Sequence, residues 1–98
     1  MIKQNNSKII LMQEEEKILS NAVAKILRNL RHKTGKSLNL FCNEFELSTS
    51  SLNDIENAKR SVKLFSLLKI IKAYNLPISD FFNQLENELP NDFLKPEE

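Results

Sequence analysis

Ten lysines and arginines lie between residues 25 and 74, against only four carboxylates, Glu44, Glu46, Asp54 and Glu56, so this stretch carries a net +6. Residues 1–24 are neutral and residues 75–98 carry −5, which is why the whole chain reaches only +1. Cations at that density attract a polyanion. Other chemistry is poorly provided for. Cys42 is the one cysteine and His32 the one histidine, so the chain can assemble neither an internal disulfide nor a multi-ligand zinc site. Cys42 falls in a small-residue slot of an apolar face and reads as core, and His32 reads as part of a basic helix end. No carboxylate pair and no Ser/His/Asp grouping stands in a cleft-forming context. One glycine in 98 residues cannot build a phosphate-cradling loop. The expectation is a chain without catalytic residues, cofactor or metal.

The elements that must position these cations read as helices. Ninety-eight residues, 41% hydrophobic and 28% charged, describe one soluble globular domain. No apolar run approaches the ~20 residues of a membrane span, and the N-terminus lacks a signal region, so a cytosolic chain is expected. Ile18, Leu19, Ala22, Val23, Ile26, Leu27 and Leu30 form one stripe at helical spacing, stopped by Gly35 after a basic last turn. Ser37 can cap a second helix with Leu38, Phe41, Cys42 and Phe45 inward, and Ser48 a third with Leu52 and Ile55 inward. Leu64, Leu67, Leu68 and Ile71 mark the inner face of a fourth helix. Ile78, Phe81, Phe82 and Leu85, after Pro77, mark a fifth. The fold class is therefore all-α, a bundle of five helices. Its expected domain covers 14–89, with 1–13 as an arm or helix extension and 90–98 as a frayed acidic tail.

Only Glu46, Leu47 and Ser48 separate the short second and third helices. That spacing makes a helix-turn-helix, whose second helix can enter a DNA major groove. From Leu27 to Phe82 the chain resembles the phage-repressor-type (XRE-like, lambda-repressor-like) helix-turn-helix family. The landmarks are Leu27 to Arg31, Gly35, Phe41-Cys42, Ser48, Ser51-Leu52, Ile55-Glu56-Asn57 and Lys59-Arg60. Leu67 to Ile70, Lys72-Ala73 and Asp80-Phe81-Phe82 follow without an insertion. The resemblance implies sequence-specific binding to double-stranded DNA by a bacterial or phage-encoded, cytoplasmic regulator, usually dimeric.

It also implies residue roles. Arg31 and Glu56 occupy the slots of an ion pair that braces the first helix against the third. Thr49, Ser50, Asn53 and Asp54 fall on the outer face of the third helix, where base edges would be read: Asn53 suits adenine, and Asp54 can accept from cytosine N4. Lys36, Ser37, Asn57, Lys59, Arg60 and Lys63 fall where the family touches phosphates. Some residues depart from the pattern. Leu38 replaces a phosphate-binding glutamine, and the third helix holds neither Lys nor Arg. Glu46 and Ala58 replace common glycines; a left-handed Glu46 would cost about 1 kcal/mol. Weak intrinsic affinity, or reliance on dimerisation, follows.

The leading expectation is a transcriptional regulator, a repressor acting as a homodimer on a pseudo-palindromic operator. A restriction-modification controller and an antitoxin would look alike in sequence. The alternative is a protein–protein adaptor on the same scaffold, offering Leu38, Leu40 and Phe65 to a protein partner. A further expectation concerns the ends: the apolar cluster Ile9 to Met12 should meet Leu85, Leu89, Phe93 and Leu94, within one chain or across a dimer.

Overall fold

The computed structural model describes residues 13–95. Five helices follow in order: α1 (Glu14–Thr34), α2 (Leu38–Phe45), α3 (Thr49–Glu56), α4 (Leu64–Ala73) and α5 (Ile78–Glu88). Among the described residues there is no strand. The fold is an all-α bundle, as the helical spacing of the apolar residues requires.

Each helix starts and stops for local reasons. At the start of α1 the Gln13 amide donates to Glu16 Oε1 at 3.2 Å, and Glu14, Glu15 and Glu16 face the positive end of the helix dipole. Gly35 ends α1 in the left-handed conformation, φ 73°, donating to the His32 carbonyl at 3.1 Å. Ser37 Oγ accepts the Leu40 amide at 3.1 Å, and Ser48 Oγ accepts the Ser51 amide at 3.2 Å, capping α2 and α3. Between those helices Glu46 takes φ 55°, and the Leu47 amide returns to the Cys42 carbonyl at 2.9 Å. This closure normally uses glycine, so a glutamate holds it under strain. Ala58, at φ 55°, repeats the conformation after α3.

Every helix contributes to the core. Leu27 of α1, Phe41 and Cys42 of α2, Leu52 of α3, Ile71 of α4 and Phe81 of α5 are its largest fully buried side chains. Phe41 stacks on Tyr74 with ring centroids 4.5 Å apart. Cys42 is a free, buried thiol inside this packing.

Three sequence expectations need correction. The inner face of α4 is Leu67, Ile70 and Ile71; Leu64 is 64% exposed and Leu68 only partly buried. Leu64, Phe65, Leu67, Leu68, Ile70 and Ile71 fill almost the whole helix, so periodicity alone cannot choose its buried arc. Phe45, Ile78 and Phe82 lie at the rim of the core instead of inside it. The tail does not fray as far as Lys95. Its Phe93 amide donates to the Pro90 carbonyl at 3.0 Å, and the Leu94 amide reaches Glu15 Oε2 at 2.9 Å. Leu85 belongs to the core and Leu89 packs against it. Ile9 to Met12, the other half of the expected meeting of ends, lie outside the described residues.

Candidate nucleic-acid interface

Helix α3 is held from behind by two arginines of α1. Arg31 donates from Nε to Glu56 Oε2 and from a terminal nitrogen to Glu56 Oε1, both at 2.9 Å, making a two-pronged pair. The side chains are 14% and 5% exposed. A carboxylate this deep is tolerable only with such a partner. A third Arg31 nitrogen donates to the Lys36 carbonyl at 3.1 Å, so the same guanidinium also fixes the α1–α2 turn. Its bond to Glu56 is the main reason its proton is held more tightly than usual. Arg28, one turn earlier, donates to the Glu56 backbone carbonyl at 2.5 Å. That carbonyl is one of the unsatisfied groups at the end of α3, so Arg28 caps it with positive charge. Tyr74 sits beside this cluster. Burial, then the Glu56 charge, pushes its phenol well above the ordinary value, and its hydroxyl has no hydrogen-bond partner among the described residues.

Leu52, Ile55 and Glu56 face inward along α3, which leaves the opposite side polar. Ser50 and Asn53 are exposed, and Thr49 and Asp54 are half-buried. The Asn57 side-chain Nδ2 donates to Asn53 Oδ1 at 3.1 Å and to the Asn53 carbonyl at 2.8 Å. This presets the Asn53 side chain with its amide hydrogens still available. Ser48 and Ser50 hydroxyls lie 3.4 Å apart. Asp54 faces Arg60, with 3.7 Å between Oδ2 and Nε, so its negative charge is partly neutralised at the end of the helix.

Cations rim this face unequally. Lys59 and Lys63 are exposed and have no ion-pair partner among the described residues. Lys36 is occupied: its ammonium bonds Glu44 and lies 5.6 Å from the Phe45 ring centre. Arg60 is engaged by Asp54. Ser37 spends its oxygen on the cap of α2 but retains a hydroxyl hydrogen, beside first-turn amides that have no partner within the helix. Arg60, Lys63 and Lys69 meet Ser48, Ser51 and Ser66 around a shallow concavity of about 130 Å³. The structure therefore brings Thr49, Ser50, Asn53, Asp54, Asn57 and Arg60 together around α3, with Lys36 and Ser37 at the start of α2. Among the described residues no cluster of metal-ligating side chains occurs, and no helix is long and apolar enough to cross a membrane.

Sequence reasoning missed Arg28 and Tyr74. Arg28 stands three residues before Arg31 and so shares its helix face, which was an available signal. Tyr74 follows α4 and carries no comparable signal.

A helix with a polar outer face, clamped from behind and flanked by cations, matches a known architecture. The helix-turn-helix family profile matches residues 25–81, from the middle of α1 into α5. Among curated proteins, Control protein C.MunI of a Mycoplasma sp. is 31% identical over 64 residues, covering 65% of this chain and 86% of that protein. No solved structure matches significantly. With the family profile spanning more than half its length, the chain belongs to the XRE-type, lambda-repressor-like family of helix-turn-helix DNA-binding regulators.

Proposed function

We propose that this regulator is a repressor that binds a pseudo-palindromic operator as a cytoplasmic homodimer, presenting one α3 to the major groove of each half-site. The observation that carries this is the polar, uncovered face of α3 on a helix whose far end is clamped to α1 through Glu56. A reading helix must hold its donors within a fraction of an ångström, and a rigid backing supplies that. Thr49, Ser50 and Asn53 address base edges, and Asn53 is the strongest reader because its amide is already oriented by Asn57. Asp54 reads cytosine only where Arg60 keeps its charge away from the backbone.

Lys59 and Lys63 supply the main phosphate contacts, with Ser37 and the first amides of α2 as neutral ones. Lys36 and Arg60 contribute less, since each gives up a carboxylate partner to reach a phosphate. So few unpaired cations beside α3 among the described residues leave a single domain with weak affinity, and two half-sites on one duplex compensate. A repressor then acts by occupancy, covering promoter DNA. The relative's description as a control protein supports regulation of this kind. The DNA-binding unit spans 14–89, with 1–13 and 90–98 as flanks.

Footprinting on the DNA upstream of the coding sequence, followed by transcription from the same template, tests the proposal. Two protected segments about one helical turn apart, with less transcript as protein is added, are expected. One protected segment refutes the homodimer, and more transcript refutes the repressor.

A further inference from the structure

Phe65 is 74% exposed, an unusual position for a phenylalanine in a well-packed helix. It is not isolated. With Phe45 from the end of α2, Leu47 from the turn before α3 and Leu68 from α4, it lines one open apolar surface fringed by Lys69 and Lys72. The Lys69 ammonium lies 5.9 Å from the Phe65 ring centre, so the cation and the ring form one amphipathic ledge. Neither lysine has an ion-pair partner among the described residues. Of its lining only Leu47 and Lys69 also border the concavity beside α3, and the DNA-binding reading makes no use of its apolar side chains.

The chain also carries a surface of complementary character. Glu86, in the last turn of α5, and Asp92, past its end, are exposed carboxylates without an ion-pair partner among the described residues. Directly after Asp92 come Phe93, half-buried, and Leu94, which is 63% exposed. The Leu94 amide is anchored to Glu15, so this acidic and apolar edge is held in place and does not trail in solvent. Residues 25–74 carry +6 and residues 75–98 carry −5, so the two surfaces also belong to oppositely charged regions. Helix α5, eleven residues or about 16 Å long, carries the acidic edge away from the end of α4 where Lys72 sits.

We infer that the Phe45–Phe65 ledge receives the Glu86–Leu94 edge of a second copy of this chain. Lys69 and Lys72 meet Glu86 and Asp92, and Leu94 covers the exposed Phe65 ring. The inference deepens the homodimer of the proposed function by naming its contact, and it is measured without DNA. Charge pairs at such a rim set partner choice and register, while the aromatic surface supplies the apolar burial.

The test is sedimentation velocity of the full chain at tens of micromolar, with two double variants and their combination. Lys69→Glu with Lys72→Glu, and separately Glu86→Lys with Asp92→Lys, should each weaken self-association by roughly tenfold or more, because like charges then face each other. All four together should restore it, since the attraction is merely reversed. Mixing the two double variants should yield pairs that neither forms alone, each joined by its one unaltered ledge and edge. These charges are exposed, so unchanged helical circular dichroism verifies folding in every variant. A dimer indifferent to all four changes, or one not restored by the combination, overturns the inference while leaving the homodimer standing. A wild-type chain that stays monomeric alone at this concentration overturns the inference, and one that also stays monomeric on a two-half-site duplex overturns the homodimer as well.

Discussion

Replacing Arg31 by Met and Glu56 by Leu, singly and together, tests whether the clamp behind α3 acts as a unit. The charges are about 4 Å apart, worth about 4 kcal/mol of attraction at the effective dielectric of a protein. Most of that is offset by removing both groups from water. The offset disappears when one partner is removed. With Arg31→Met the Glu56 carboxylate, 5% exposed, keeps no charged donor on its oxygens, and the loss should be roughly 3–4 kcal/mol. Arg28 stays nearby on the Glu56 carbonyl, which places the figure at the lower end of the range for broken buried pairs. Glu56→Leu strands an arginine that retains the Lys36 carbonyl, for roughly 2–3 kcal/mol. The double variant removes both charges and should lose only about 1–2 kcal/mol. Urea unfolding followed by circular dichroism should therefore report a coupling of at least about 2 kcal/mol. In thermal scans each single variant should melt roughly 10–20 °C lower. Losses that add to within about 0.5 kcal/mol would show that the two charges ignore each other, and the clamp would be refuted.

Other consequences can be checked separately. Lys59→Gln and Lys63→Gln should each flatten the salt dependence of DNA binding by about one unit of slope, with equal effects on operator and unrelated DNA, in anisotropy titrations across salt. Glu46→Gly should raise stability by about 1 kcal/mol, since φ 55° strains glutamate but not glycine, and the urea midpoint should rise with an unchanged slope. Tyr74→Phe should be neutral to slightly stabilising at pH 7, because it removes a buried hydroxyl without a partner among the described residues. Above pH 10 the unfolded phenol ionises while the folded one keeps its proton, so the native chain loses stability with rising pH. Unfolding measured at pH 7 and again at high pH should show Tyr74→Phe gaining on the native chain at the higher value.

The helices could be read from the sequence because their information is local. Ser37 and Ser48 announce helix starts, Gly35 announces a stop, and the α1 stripe has one period. Helix α4 resisted because its apolar residues surround the axis, and only packing into the core shared with the other helices selects Leu67, Ile70 and Ile71. The site divides similarly. The outer face of α3 follows from Leu52 and Ile55 pointing inward. Arg31 and Glu56 lie 25 residues apart and could be put together only through the family pattern. Arg28 shares the helix face of Arg31 and could have been found by that spacing, whereas the bond from the Leu94 amide to Glu15 has no local signature. Nor could charge counting show that Lys36 and Arg60 are occupied by Glu44 and Asp54, because those pairings arise only once the turns bring the chain together.

The most direct test of the central claim, that α3 reads DNA sequence, compares wild type and Asn53→Ala on two duplexes of equal length. One duplex is the upstream DNA and the other is its scrambled sequence, both titrated at physiological salt by fluorescence anisotropy. Wild type should prefer the upstream duplex. Asn53→Ala should lose roughly 1–3 kcal/mol on that duplex and almost nothing on the scrambled one, because a base contact carries sequence and a phosphate contact does not. Equal weakening on both duplexes, or a wild-type chain that does not distinguish them, would contradict the assignment of α3 as the reading helix.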